Sequence, residues 1–259
     1  DALANLKPTE GDLIKSQNLF SIYSSVARAW KGSLTYLNQI ESLGYQLLPD
    51  VNKIFDVTNK NNAEIIFDVQ FASGLNGNSE GSTAFQMFSP SGSVSGAKGH
   101  NLPTKEVYNF YSAGDTRRAA YIGLTSNGIP FSKKLVKTSN TIADGGSNFV
   151  VLRLADVFLM MAECFAEQND FANANLYVNK IKTRAGIAAV NLSTKEALLN
   201  EIDRERRLEF VGEGHRWFDL RRTTKTIVRA ECGVAGGSRA ANCNIGPTSR
   251  SWTFPIPFN

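Results

Sequence analysis

The chain has 259 residues, enough for one sizeable core or two small ones. Apolar residues make up 42% and charged residues 20%, the balance of an ordinary globular protein. Basic residues exceed acidic ones by 28 to 24, a net +4, and the Arg-rich stretch alternates both signs. That pattern argues for solvated faces and ion pairs and against a nucleic-acid footprint. No apolar run is long enough to span a bilayer.

Residues 1–12 read as a lead-in containing Pro8. Leu13 to Ala27 is predicted as a helix, with Leu19, Ile22, Tyr23 and Val26 as its apolar set and Asp12 as a cap. Trp30 to Leu43 is a second helix, using Leu34, Leu37 and Ile40 and ending at Gly44. Asn59 to Asn62 is a turn. Ala63 to Phe71 is the strongest strand in the chain, with Ile65, Phe67, Val69 and Phe71 alternating against Glu64, Ile66, Asp68 and Gln70. Ala72 to Leu102 is the least regular region, rich in Gly, Ser and Asn, with Phe85, Met87, Phe88, His100 and Asn101 interspersed. Loops this long within a compact protein are functional or disordered. Thr104 to Ser112 is a short helix.

The stretch from Val151 to Arg222 organises the protein. Leu152, Ala155, Leu159, Ala162 and Ala166 recur at helical spacing, and Phe158 and Phe165 widen the stripe. A second helix runs from about Phe171 to Arg184, with Ala174, Val178 and Ile181 on one face and Gly186 as its stop. Small Ala162 and Ala174 among bulky Phe158, Phe165, Phe171 and Val178 suit a hairpin of tetratricopeptide type. One hairpin cannot bury its own face, so it packs on something else. Trp30 to Leu43 and the helix before it repeat this layout, with Ser33 in the place of Ala174. A third helix from about Thr194 to Val211 carries Leu198, Leu199, Ile202, Leu208 and Phe210, with Ser193 or Thr194 as N-cap. Lys225 to Ala230 continues as helix, and Trp252 to Pro257 is extended because its prolines restrict it.

Little here supports chemistry. His100 and His215 lack a second ligand at metal spacing, and Cys232 and Cys243 are too far apart for a zinc half-site. Cys164 reads as a small buried apolar residue, which argues against a Cys nucleophile. No phosphate-cradling Gly-rich loop with a following Lys-Ser/Thr occurs. Asp156, Glu163, Glu205, Glu209, Glu213 and Asp219 are the remaining enzymatic route, since a glycosidase needs two carboxylates across a cleft. Each has an arginine nearby, among Arg153, Arg204, Arg206, Arg207, Arg216 and Arg221, so they read as a charge-assisted brace between helices. His215 and Trp217 read as packed in the helix junction. Cys232 and Cys243 flank a Gly/Ala/Ser-rich loop, and in an oxidising location a disulfide between them would stabilise by about 3 kcal/mol.

Three segments carry a resemblance: Leu152-Arg153-Leu154-Ala155-Asp156-Val157-Phe158-Leu159-Met160-Met161-Ala162-Glu163, the Arg184-Ala185-Gly186 stop, and Glu205-Arg206-Arg207-Leu208-Glu209-Phe210 through Gly214-His215-Arg216-Trp217-Phe218-Asp219-Leu220-Arg221. In this order and with these gaps they resemble the C-terminal half of the SusD/RagB family, outer-membrane lipoproteins of Bacteroidetes that capture nutrients. Tyr45 to Asp50 is similar to the family's connection out of a hairpin. Gly114-Asp115-Thr116-Arg117-Arg118 is similar to its Asp-x-Arg element before paired strands, here Tyr121 to Thr125 and Phe131 to Val136 across Ser126-Asn127-Gly128. Asp115 and Arg117 are expected to fix that turn by an ion pair and backbone hydrogen bonds.

The resemblance implies a mainly α, SusD-like fold: tetratricopeptide-like hairpins, long irregular loops and a few short β-strands. It implies one domain over 1–259, with a helical hairpin at 1–50, a strand- and loop-rich region at 51–150, and a hairpin, last helices and C-terminal extended segment at 151–259. Near Asp1 there is neither a signal peptide nor a lipoprotein-type cysteine, so a fragment of a longer protein is expected, attached to the membrane through an N-terminal lipid anchor absent from this chain. The implied function is non-enzymatic binding of glycans or oligosaccharides at the outer surface, without cofactor, for delivery to a SusC-like TonB-dependent transporter. Peptide binding of RagB type, a carbohydrate hydrolase and a ligand-free helical scaffold are the alternatives. The family builds its sites from loops outside the hairpins, which makes Phe85, Phe88, His100 and Asn101 the candidate ligand-binding residues. Phe85 and Phe88 have a second reading, in which they pin the loop to the core.

Overall fold

The structure, a computed structural model, describes residues 30–77, 80–135 and 141–223, with the two-residue segments Ile227–Val228 and Asn244–Ile245. The expected helix from Leu13 to Ala27, the cysteine pair Cys232 and Cys243, and the extended Trp252 to Pro257 lie outside the described residues. By its contacts the chain divides into two compact units, Asp1–Glu213 and Gly214–Asn259.

The first unit is built around one helix. Helix α1 is Trp30–Glu41, and a single 3₁₀ turn follows at Val51–Lys53. Strand β1 is Ile65–Val69. Three short helices come next: α2 at Ala84–Phe88, α3 at Lys105–Phe110 and α4 at Thr116–Tyr121. Strands β2 (Ile122–Leu124) and β3 (Pro130–Ser132) form an antiparallel hairpin. Strand β4 (Phe149–Arg153) pairs antiparallel with β1 and runs directly into α5, Leu154–Glu167. Helices α6 (Phe171–Arg184) and α7 (Lys195–Glu209) complete the unit.

Helix α5 packs against α6, α1 and α7. Its residues from Leu154 to Cys164, together with Ala166, are all buried, so it is wrapped on every side and not striped on one face. Ala162 and Ala174 are fully buried, as close approach of α5 and α6 requires, and Ser33 is buried at the matching place on α1. Tyr177 stacks on Phe165 at 5.6 Å and tilts against Phe158 at 5.5 Å. Its hydroxyl donates to Glu41 at 2.6 Å, and Lys180 donates to the same carboxylate at 3.0 Å, joining α6 to α1. A second buried cluster of Val51, Ile54, Tyr111, Tyr121, Ile122 and Leu208 ties the loop-rich region to α7. Within it, the Tyr111 hydroxyl donates to the Leu208 carbonyl at 2.7 Å. Tyr111→Phe leaves that buried carbonyl unpaired, and a loss of about 1–3 kcal/mol is expected, read as a lowered urea midpoint with unchanged slope.

Caps and stops fall where the sequence places them. Thr194 accepts from the Ala197 amide at 3.3 Å, and Thr104 from Val107 at 3.3 Å. Gly186 adopts φ +76°, the left-handed conformation that ends α6.

Several expectations are corrected. Val151 to Arg153 is strand, not the first turn of α5, because Leu154 donates its amide to the Glu64 carbonyl and the preceding residues pair with β1. β1 itself is shorter than Ala63 to Phe71 and carries register shifts. They turn Phe67 and Val69, expected inward, to 43% and 44% exposure, while Ile65 and Ile66 pack on the two cores. Thr116 to Tyr121 is helix, capped by Asp115, where a strand was expected to begin at Tyr121. Helix α2 forms inside the irregular region.

In the second unit, His215–Arg222 is helix α8. Arg222 donates twice to Asp219, at 3.1 and 3.0 Å, and Asp219 is buried. Ile227–Val228 (β5) pairs antiparallel with Asn244–Ile245 (β6), so the helix expected over Lys225 to Ala230 is broken by strand. Among the described residues no helix is long and apolar enough to cross a membrane.

Candidate functional site

The carboxylates that could have served catalysis are largely consumed in one buried ionic frame. Arg117 donates to Asp115 through Nε (3.0 Å) and Nη2 (2.8 Å), and through Nη1 to Glu205 at 2.8 Å and Glu209 at 3.2 Å. The Asp115 side chain also accepts the Arg117 amide at 3.0 Å, so the expected turn lock is present and extends to α7. Arg153 reaches Glu64 at 2.9 Å, Glu209 at 2.7 Å and both oxygens of Glu213 at 2.8 Å. Arg184 donates to Glu64 at 2.9 and 2.8 Å and also bonds Glu209. Lys134 bonds Glu213 and donates to the Glu209 carbonyl at 2.8 Å. Arg206 pairs with Asp156 at 2.7 Å.

All of these side chains are nearly or fully buried. Taking charges out of water is costly unless each is paired and hydrogen-bonded, and here Arg117, Arg153, Arg184 and Glu209 each gain several charge-assisted bonds. Burial alone would favour a protonated Glu209. The charges of Arg184, Arg153, Arg117 and Lys134 outweigh it and hold that carboxyl well below its ordinary value. Burial pushes the Lys134 ammonium down to about 8, against the pull of Glu213. Its charge also sits over the Tyr121 ring at 3.9 Å and Phe55 at 4.9 Å.

The candidate ligand residues lie elsewhere in the unit. Phe85 and Phe88, on α2, are half-buried. His100 and Asn101 are exposed, and Asn101 adopts φ +51°. Two arms of the loop are laced by backbone: Lys98 donates to Gln86 at 2.9 Å, Gly99 to Ser89 at 2.9 Å and His100 to Met87 at 2.7 Å. This brings His100 beside α2, although the side chains of the four residues show no bond that unites them.

The loop is anchored at its base to the segment before β4. Ser82 and Gly145 exchange amide bonds at 2.8 and 2.7 Å, and Asp144 accepts the Gly74 amide at 2.7 Å. Gly81 passes so close that an added Cβ would sit 2.7 Å from the Asp144 Cα, which only glycine allows. Asn148 accepts the Phe71 amide at 3.1 Å. β1 thus links the two features, with Glu64 in the ionic frame before its first residue and Phe71 entering the loop after its last.

Sequence reasoning missed Glu64, Lys134 and Tyr121 as members of the frame. The one available signal was Glu64 itself, a carboxylate leading an apolar strand. Among the described residues no group of three His, Cys, Asp or Glu could hold a metal ion.

Comparison with known proteins follows the same lines. The profile of the SusD family matches residues 104–245. SusD-like protein P25 of Formosa agariphila is 28% identical over 244 residues, spanning 74% of this chain and 46% of that protein. Surface glycan-binding protein A from Bacteroides thetaiotaomicron, in complex with laminarihexaose, aligns at 26% identity and a TM-score of 0.64 over 79% of this chain and 52% of its own. A laminarin-binding SusD-like protein aligns at 26% identity and 0.65 over 83% and 54%. The chain therefore spans about half the length of the relatives it matches.

Proposed function

Because the chain belongs to the SusD family, we propose that it binds a glycan or oligosaccharide at the bacterial outer surface, without chemical change, and delivers it to a SusC-like TonB-dependent transporter. The observation that carries this reading is the likeness, at 26% identity, to two proteins described as binding laminarin or laminarihexaose. The two units belong to one SusD-like domain of a longer, lipid-anchored protein. Phe85, Phe88, His100 and Asn101 offer rings for the C–H faces of sugars and polar groups for their hydroxyls, on a loop held to a rigid base. The ionic frame supports a binding role over hydrolysis, since Glu205, Glu209 and Glu213 are buried and shared among arginines and cannot act as an acid and a base across an open cleft.

The test is calorimetry against laminarihexaose and a glycan panel, beside a peptide pool and a hydrolysis assay on the same oligosaccharides. Binding to a glycan without cleavage is expected, with Phe85→Ala and His100→Ala each weakening it several-fold, as loss of one stacking or hydrogen-bonding contact does. Binding only to peptides would move the reading to RagB-type uptake, cleavage would make the protein a hydrolase, and silence in all three would leave a scaffold.

A further inference from the structure

At the end of β1 four planar polar side chains meet on the surface of the first unit. Asn148 is buried and donates through Nδ2 to Asp68 at 2.8 Å and to Gln70 Oε1 at 3.0 Å, while its own oxygen holds the Phe71 amide. Gln70 donates through Nε2 to Asn61 at 2.7 Å and also to Asp68. Asn61 and Gln70 are exposed, and Asp68 is half-buried. Asn61 reaches the group because the turn before β1 holds it at φ +53°. The neighbouring Asn62 locks that turn through its side chain, donating to the Ile54 and Asn59 carbonyls at 3.0 Å each.

Most exposed amides are free to rotate. This set is not: its one buried member fixes the carboxylate and the Gln70 amide, and Gln70 fixes Asn61. The cluster's own bonds use neither Asn61 Nδ2 hydrogen, and each Asp68 oxygen, accepting one bond, keeps a spare lone pair. A donor pair and an acceptor, both planar and joined through the Gln70 amide that holds them, suit the hydroxyls of a pyranose ring, and the rigidity lowers the entropy lost on binding. Lys60, whose ammonium bonds the Phe71 carbonyl, lies close enough for Asp68 to act on its charge. Among the described residues the cluster is therefore formally balanced, and no guanidinium stands in it for sulfate or carboxylate groups.

We infer that Asn61, Asp68 and Gln70, backed by Asn148, form a hydroxyl-recognising subsite for a neutral oligosaccharide, at the entry to the Ala72 to Leu102 loop. This rests on the glycan-binding reading above and adds residues and a ligand class to it. Gln70→Ala and Asn61→Gly, the latter keeping the left-handed turn unstrained, test it with laminarihexaose and with a uronate oligomer of similar length.

The expected result is a weakening of laminarihexaose binding by about tenfold in each variant, with unchanged melting temperature, and movement of the Asn61 and Gln70 side-chain amide resonances on titration of the wild type. Wild-type binding that persists at full strength in both variants would overturn the subsite and leave the glycan reading intact. Tighter binding of the uronate oligomer, lost in the same variants, would overturn the neutral class. A wild-type chain that binds no saccharide would remove the reading and the subsite together. A lowered melting temperature with intact binding would show that the cluster serves only as a staple.

Discussion

Arg153→Met is expected to lower the unfolding free energy by about 3–5 kcal/mol, the range for stripping one partner from a buried ionic group. The reason lies in what stays behind. Among the described residues Arg153 is the one cation that reaches Glu64, Glu209 and Glu213 together, and it also covers the Phe210 ring at 4.7 Å. Methionine fills much of the volume, so the cost reports charge and hydrogen bonding more than a cavity. Arg184 still serves Glu64 and Glu209, and Lys134 still serves Glu213, which keeps the loss inside that range. Guanidinium denaturation followed by helical ellipticity and by tyrosine fluorescence measures it. A loss under 1 kcal/mol would mean that the remaining cations redistribute freely and the frame is not a brace.

Glu209→Gln is expected to cost a similar amount, about 3–5 kcal/mol at pH 7, and to change how stability responds to acid. Glu209 meets Arg117, Arg153 and Arg184 and accepts from the Tyr121 hydroxyl at 3.1 Å. Its folded-state value lies well below the ordinary 4.5. A depressed carboxylate binds its proton later in the folded chain than in the unfolded one. The stability it supplies is thus complete above about 4.5 and drains away as pH falls through the depressed value. Wild-type melting temperature should drop steeply through that window, and the Gln variant, lower at pH 7, should show a flatter acid limb. Parallel acid limbs would place the acid sensitivity in other groups.

The helices were legible because their signals are local. Thr194, Gly186 and the spacing of Ala174, Val178 and Ile181 mark α6 and α7 to within a residue or two, since caps, stops and apolar periodicity act over a few positions. Arg and carboxylate side by side in the run through Glu205 to Glu209 announced a brace for the same reason. Val151 to Arg153 was misread because an apolar run of that kind suits a buried strand as well as a buried helix, and only pairing with β1 decides between them. The exposed Phe67 and Val69 show the same limit, because a register shift inverts a face without altering the sequence pattern.

The sequence by itself determined the helical hairpin, its caps and the structural use of the acids in the last third of the chain. Only the tertiary structure decided which charges meet. Glu64, Arg117 and Lys134 come from distant segments, and their pairing with Glu209 and Glu213 exists only once two cores have closed around them and excluded water. The same holds for Asn148 beneath Asp68 and Gln70, eighty and seventy-eight positions away. Hydrogen bonds of that reach leave no periodic trace, because their partners are chosen by packing and not by neighbourhood along the chain.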